Sequence, residues 1–333
     1  MTDTGIDIAV NALVGESNLD AIAAEARRLL LRHENVILYG PPGTGKSRAA
    51  QQIADDWTTT HGENSVIQTT FHPSYSYEDF IEGFRPGDSD PSKFELTPGV
   101  LLQAANQAES VPTLLVIDEI NRADVAKVFG ELITYIEPDK RGREFTTAQQ
   151  PMSAPKRVIP YDLFVLGTMN TADKSISLLD VALRRRFKFV ECPPLPDAFS
   201  SSPEWKDSAF GISLASLLTA INLRLLDVGV TRDRLVGQAL LGLSAAGDDS
   251  ELLDRIRYDV YPLIEEYLFG EAERMEKVLP GLVDTHGGLR VSGLTAENIR
   301  SWLPASTNDE LDLSTDAGNA DSANATDAST SSG

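Results

Sequence analysis

The sequence predicts an α/β fold: a five-stranded parallel, doubly wound sheet built on a phosphate-binding loop, followed by a small C-terminal helical lid. Three observations predict it. Between residues 35 and 191, apolar runs of strand length alternate with stretches of helical periodicity, the pattern of a parallel sheet covered by helices. The first run, Val36-Ile-Leu-Tyr39, opens into Gly40-Pro41-Pro42-Gly43-Thr44-Gly45-Lys46-Ser47. That stretch satisfies G-x-x-x-x-G-K-[ST] in the strand–loop–helix setting the motif needs. A later run, Thr113-Leu-Leu-Val-Ile117, ends on Asp118-Glu119, so two carboxylates lie at the carboxyl end of a strand, where such sheets hold ligand groups.

The elements follow in order. Residues 1–17 are polar and expected to be flexible. A nucleotide-binding unit is expected over 18–200, a helical lid over 201–303 and a disordered acidic tail over 304–333. Leu19, Ile22, Ala23, Ala26, Leu29 and Leu30 recur at helical spacing and predict a helix beside the first strand. The helix after the loop runs from Ser47 to Asp56. Val66 to Thr70 reads as a second strand, Phe71 to Tyr77 as a rigid aromatic connection, Glu78 to Phe84 as a short helix and Arg85 to Ser92 as a loop. Val100 to Glu109 and Asn121 to about Ile136 read as further helices. Tyr161 to Gly167 is the next buried strand, with Thr168-Met169-Asn170 at its carboxyl end. Ser177 to Leu183 is a helical turn ending in Arg184-Arg185-Arg186, and Phe187 to Glu191 makes the fifth strand. Helical patterns over 210–226, 249–269 and 296–303 build the lid. The tail carries Asp309, Glu310, Asp312, Asp316, Asp321 and Asp327 with no basic residue.

Composition bounds the function. With 50 Asp+Glu against 29 Lys+Arg the formal charge is −21, which argues against sequence-blind attraction to nucleic acid over the whole surface. A local basic groove or ring pore is left open. The single cysteine, Cys192, rules out an intramolecular disulfide framework and a Cys-rich zinc site. Met1 to Val14 has no basic region and does not read as a signal peptide. No run approaches the ~18 apolar residues of a membrane span. A soluble, cytoplasmic protein is expected.

The chemistry follows from residue type and place. Glycines 40, 43 and 45 let backbone N–H groups curl inward toward a polyphosphate, and the following helix adds its positive end. Lys46 is expected to reach the β- and γ-phosphates, and the Ser47 hydroxyl to ligate Mg²⁺. Asp118 is expected to hold the metal through water and Glu119 to act as general base on the attacking water. Asn170 is placed to hydrogen-bond the γ-phosphate or that water. The arginines at 184–186 read either as a solvated cap at a helix end or as guanidinium groups presented to a neighbouring subunit's nucleotide. Lys140, Arg141 and Arg143 form a basic cluster, read as a solvated hairpin tip or as a loop facing a pore or partner. Arg232 and Arg234 precede Leu235-Val-Gly-Gln238, a candidate nucleotide-sensing turn or a plain surface segment. No nuclease, protease or nucleophilic triad constellation is legible, so cleavage is not expected of this chain.

Assembled, these residues resemble the AAA+ superfamily and, within it, the McrB-like motors of modification-dependent restriction. The resemblance is carried by Gly40 to Ser47, FHPSYSYEDFIEGFRP at 71–86, IDEINRA at 117–123, Phe129-Gly-Glu, DKRG at 139–142, MNTAD at 169–173, ALRRRF at 182–187 and PLIEEYLF at 262–269. It implies an ATP- or GTP-hydrolysing, Mg²⁺-dependent hexameric ring with nucleotide at subunit interfaces, Asn170 as first sensor, and Arg185 and Arg186 as trans-acting arginines. It also implies a McrC-like nuclease subunit as partner and DNA engaged through that partner or the ring pore. Two positions depart from the family pattern: Lys174 stands where an arginine is usual after MNTAD, and Gln238 where a lid histidine is usual. The chain has no room for a modified-DNA reader, so base recognition is expected from another chain. IDEINRA is shared with MoxR-like AAA+ chaperones that remodel proteins without DNA, the alternative reading. A third is a nucleotide-gated scaffold with negligible turnover.

Overall fold

In the computed structural model, residues 18–87, 90–151, 153–172 and 181–304 are described. The N-terminal segment, Asp173, Lys174, most of the predicted turn at 177–183 and the tail beyond Pro304 therefore lie outside the described residues. Among the described residues nine strands follow in chain order: β1 (Asn35–Gly40), β2 (Val66–Thr70), β3 (Glu82–Pro86), β4 (Phe94–Pro98), β5 (Thr113–Asp118), β6 (Leu163–Asn170), β7 (Lys188–Glu191), β8 (Ser208–Ala209) and β9 (Ile212–Ser213). Five of them form the main sheet in the order β2-β5-β6-β1-β7. Every neighbouring pair in it is parallel. The expected sheet is present.

Alternation along the strands divides the core between the two faces of the sheet. On one face Val36, Leu38, Leu114, Val116 and Leu166 pack under the helices Leu19–His33 and Lys46–His61, with Trp57 fully buried among them. On the other, Ile37, Leu115, Ile117 and Val165 pack with Phe71, Phe80, Leu101 and Phe129. Residues 199–303 build a separate core around Leu217, Leu218, Ile221, Leu252, Ile256 and Ile264. Cys192 is buried at the exit of β7, and burial pushes its thiol up to about 12. Its carbonyl lies 2.2 Å from where a Cβ on Gly40 would stand, so only glycine fits at the mouth of the loop.

Several elements differ from expectation. The helix predicted over 78–84 is confined to Tyr77–Phe80; Glu82–Pro86 and Phe94–Pro98 instead pair as the hairpin β3–β4, whose first strand takes in Arg85 and Pro86 of the predicted loop. Gly99 is a cause: a Cβ there would stand 2.5 Å from the Phe80 carbonyl carbon, so the hairpin closes tightly on its own base. The helix predicted to run to Ile136 is broken into Val125–Phe129 and Leu132–Tyr135 at Gly130, whose φ is 49°. Asn121 lies ahead of it in a 3-10 turn, Ile120–Arg122. Strand β6 extends to Asn170, so Thr168 and Met169 are inside it. In the C-terminal helical unit, the 249–269 stretch widens into a π-helical turn at Ile256–Val260. Pro262 follows, and it has no N–H to give the carbonyl four residues back. A helix at Ala272–Val278 had no counterpart in the periodicity.

Arg141 is the largest correction. It is not part of a solvated basic tip: it is 2% exposed. Its guanidinium donates to the carbonyls of Ile136, Pro160 and Leu163 and to Asn35 Oδ1. Burial lowers its pKa to about 10. Gly142 beside it adopts φ 70° under the Tyr161 ring, which a Cβ would meet at 2.9 Å. DKRG is thus a plug that ties the loop to the foot of β1 and β6. Only Lys140 and Arg143 are left of the cluster, and Lys140 pairs with Asp139 at 2.6 Å.

Candidate nucleotide site

The loop leaves β1, which lies between the central strand β6 and the edge strand β7. Gly43 and Gly45 adopt φ of 76° and 90°, conformations that cost a side-chain-bearing residue and here turn the chain into the helix Lys46–His61. Thr44 Oγ1 donates to the Pro41 carbonyl at 3.0 Å, closing the loop. Lys46 is buried to 8% exposure, and its Nζ donates to the Pro41 carbonyl at 2.7 Å. The ammonium thus folds back over the loop.

Ser47, on the first turn of that helix, donates to Asp118 Oδ1 at 3.2 Å across the gap from β1 to β5. Asp118 ends β5, and Glu119 follows in a left-handed conformation (φ 54°) that turns the chain away from the sheet. Glu119 lies 3.5 Å from the Arg122 guanidinium. Asn170, at the end of β6, is opposite Gly40 in the register of β1 and β6. Its Oδ1 accepts from the Ala172 N–H at 3.3 Å and its carbonyl from Asn121 Nδ2 at 2.9 Å. Every predicted group of the loop and of the two carboxylates therefore converges on one end of the sheet, as does Asn170.

A cleft of about 350 Å³ lies between Ser47, Gln68, Thr69, Thr70 and Asp118. Its donor set is hard oxygen, the chemistry that suits Mg²⁺. Among the described residues there is no group of three or more His, Cys, Asp or Glu that could hold a metal. The fit is to an ion held by a hydroxyl, a carboxylate and the substrate's own phosphates. On the other side of the loop a groove of about 520 Å³ opens beside Gly45. Asp20, Asp55, Asp56 and Asp197 line it, together with Arg48, Gln51 and Gln52. Of these, Arg48 donates to Glu204, Gln51 to Asp55 and Gln52 to Asp20.

The arginines separate. Arg184 and Arg185 are exposed on the helix Val181–Arg186. Arg186 is turned inward, 2.6 Å from Glu137, with its side chain 9% exposed. Its carbonyl also accepts from the buried Asn35 amide.

Thr168 and Asn121 carry no role in the sequence reading, and Gln238 enters it only as part of a candidate sensing turn and a departure from the family pattern. Thr168 donates to Asp118 Oδ1 and accepts from the Glu119 N–H at 3.1 Å. Its signal was a hydroxyl inside an otherwise apolar run, which burial obliges to find partners. Asn121 ties the Glu119 turn to the end of β6. Gln238 joins the C-terminal helical unit to the loop: Nε2 donates to the Thr44 carbonyl at 2.9 Å and Oε1 accepts from the Leu195 N–H at 3.0 Å. Beside it the Gly237 and Ala239 N–H groups donate to the Pro42 and Gly43 carbonyls. The missing histidine is thus replaced by an amide that has one donor and one acceptor in use. Thr171 Oγ1 adds a second link, donating to the Asp233 carbonyl at 2.7 Å.

The family described as AAA domain (dynein-related subfamily) matches residues 35–187. The chain is 32% identical to the Type IV methyl-directed restriction enzyme EcoKMcrB subunit of Escherichia coli (strain K12), over 82% of this chain and 61% of that protein. It is 30% identical to the Type II restriction enzyme BsuMI component YdiS of Bacillus subtilis (strain 168), over 46% of this chain and 56% of that protein. It thus spans less than two thirds of either. It is also 32% identical, over 51% of its length and 40% of the relative's, to the Holliday junction branch migration complex subunit RuvB of Pediococcus pentosaceus.

Proposed function

Because the chain is a McrB-like member of the AAA+ superfamily, we propose that it is the nucleotide-hydrolysing motor subunit of a restriction-type defence system. It assembles as a hexameric ring, and a McrC-like partner supplies the nuclease and, with the ring pore, the access to DNA. The observation that carries the reading is the convergence of Lys46, Ser47, Asp118 and Glu119 at one end of the sheet.

The loop's N–H groups and the start of the helix Lys46–His61 bind the polyphosphate. Lys46 exchanges the Pro41 carbonyl for phosphate oxygens, a stronger charge-assisted bond. Ser47 and Asp118 would hold Mg²⁺, which when bound neutralises charge developing on the transferring phosphoryl group. Glu119 orients the attacking water and takes its proton. Asn170 turns its amide from Ala172 to that water or the γ-phosphate. Arg185, exposed near the end of its helix, reaches a neighbour's nucleotide. Arg186 joins it on release from Glu137.

The groove beside Gly45 supports guanine as the base. Four carboxylates line it, Asp20, Asp55, Asp56 and Asp197, a set rich in acceptors. The guanine edge offers two adjacent donors to a carboxylate, whereas adenine offers one donor beside an acceptor. Phosphate release is measured with GTP and ATP, for the parent and for Glu119→Gln. The expected result is a GTP preference abolished by the substitution. A preference for ATP points instead to a MoxR-like remodelling chaperone. Release unchanged in Glu119→Gln removes the mechanism.

A further inference from the structure

We propose that Thr168 is a positioning residue that sets the two carboxylates of the site relative to each other; the inference rests on the hydrolytic reading above. Thr168 is 2% exposed, on β6 one step past the Ile117–Gly167 pair of the β5–β6 register. A hydroxyl has a single proton. Here it goes to Asp118 Oδ1, while the hydroxyl oxygen accepts from the backbone N–H of Glu119.

Both partners belong to the chemistry, and one atom connects them. Asp118 Oδ1 receives two hydroxyls, Thr168 Oγ1 from inside the sheet and Ser47 Oγ from the loop helix. Together they fix the carboxylate's rotation and leave Oδ2 as the oxygen to face the cation's water shell. Glu119 holds a left-handed backbone although it is not glycine, a conformation that persists only where its surroundings over-determine it. The bond from its N–H to Thr168 supplies part of that determination. The β-branched side chain restricts χ1 on the strand, so the hydroxyl is held in one direction. A buried hydroxyl needs partners for stability alone, yet any nearby carbonyl would serve. Thr168 spends both of its bonds on the metal-holding and water-orienting residues.

Thr168→Val keeps the shape and removes both bonds; Thr168→Ser restores the hydroxyl without the methyl. Two readouts are taken, kcat and KM for nucleotide hydrolysis, and the Mg²⁺ dependence of binding of a fluorescent GTP analogue, which needs no turnover. Outer-shell partners of a metal site are worth roughly 10–100-fold. The valine variant is therefore expected to need about tenfold more Mg²⁺ for half-maximal binding and to lose about 10–100-fold in kcat with KM little changed. Its Mg²⁺-free binding is expected to stay at the parent level, and serine to return both readouts to within about threefold. Parent-like kcat and Mg²⁺ dependence in the valine variant overturn the proposal. So does a loss shared equally by valine and serine that follows the folded fraction in thermal unfolding. Should valine fail to fold, Thr168→Ala takes its place under the same criteria. If the parent hydrolyses neither nucleotide the hydrolytic reading fails, while the Mg²⁺-binding arm still decides whether Thr168 orients Asp118.

Discussion

Arg141 and Gln238 are polar residues buried to the same extent, and the structure assigns them different work. Arg141 spends its guanidinium on three carbonyls and the Asn35 amide. Arg141→Ala strands those acceptors and opens a cavity, which is expected to cost about 3 kcal/mol or more. Urea unfolding measures it, and hydrolysis per folded molecule should stay at the parent level. A pore-facing role would give the reverse, an ordinary stability with altered turnover. Gln238 is bonded on both sides, to Thr44 and to Leu195. Gln238→Glu keeps its size, but an ionised carboxylate cannot donate to the Thr44 carbonyl. The exchange is expected to cost about 2 kcal/mol and to weaken nucleotide binding, since the pair it breaks is the joint between lid and loop. Calorimetric titration with nucleotide reads the second effect; unchanged affinity would mean that the lid's hold on Thr44 is irrelevant to binding.

At the scale of elements, that joint is mostly backbone. Gly237 approaches so closely that a Cβ would stand 2.2 Å from the Gly43 carbonyl carbon and 2.5 Å from the Pro42 oxygen. Gly237→Ala must therefore lift the 236–240 segment off the phosphate loop. Its expected signature is a fall in nucleotide affinity of about tenfold or more, the equivalent of losing one or two hydrogen bonds, with the lid core intact by near-ultraviolet circular dichroism. Parent affinity would show that the loop works without the lid against it. The elements around the site were legible where their signal is local. The phosphate loop and the β5 end are read from contiguous residues, because strand, turn glycines and helix start adjoin in the chain. The β3–β4 hairpin was not, since its apolar residues point outward. Phe84 is 58% and Phe94 67% exposed, so the hairpin shows no inward apolar face, and Phe84 reads as the end of the preceding helix. The break at Gly130 was missed because a lone glycine is tolerated in a helical pattern and only its φ reveals the turn.

For the whole molecule, long-range partnership is what the sequence could not supply. MNTAD and DKRG both announced themselves as motifs, but only the fold shows that Asn170 reaches the phosphate loop while Arg141 is spent inside. Charge is the property that belongs to the entire chain, and it carries a prediction of its own. With 50 acidic against 29 basic residues, the folded state holds its negative charges closer together than the unfolded chain does, and self-repulsion opposes folding. The compensating ion pairs are mostly solvent-exposed: Arg28–Glu25, Lys93–Asp90 and Lys127–Asp124 have side chains roughly half in water or more. Pairs of that kind contribute about 0–1 kcal/mol each and lose little to screening. Arg157–Glu82 and Arg186–Glu137 are shielded from salt by burial. The Debye length shortens from about 30 Å at 0.01 M salt to below 10 Å above 0.15 M, so added salt should relieve repulsion more than it weakens pairing. Raising NaCl across that range is expected to lift Tm by several degrees, about 1–2 kcal/mol for a chain of this size. KCl should match it, because the effect is screening and not a bound ion. A Tm that falls with salt would show that exposed ion pairs, and not net charge, govern the stability of the fold.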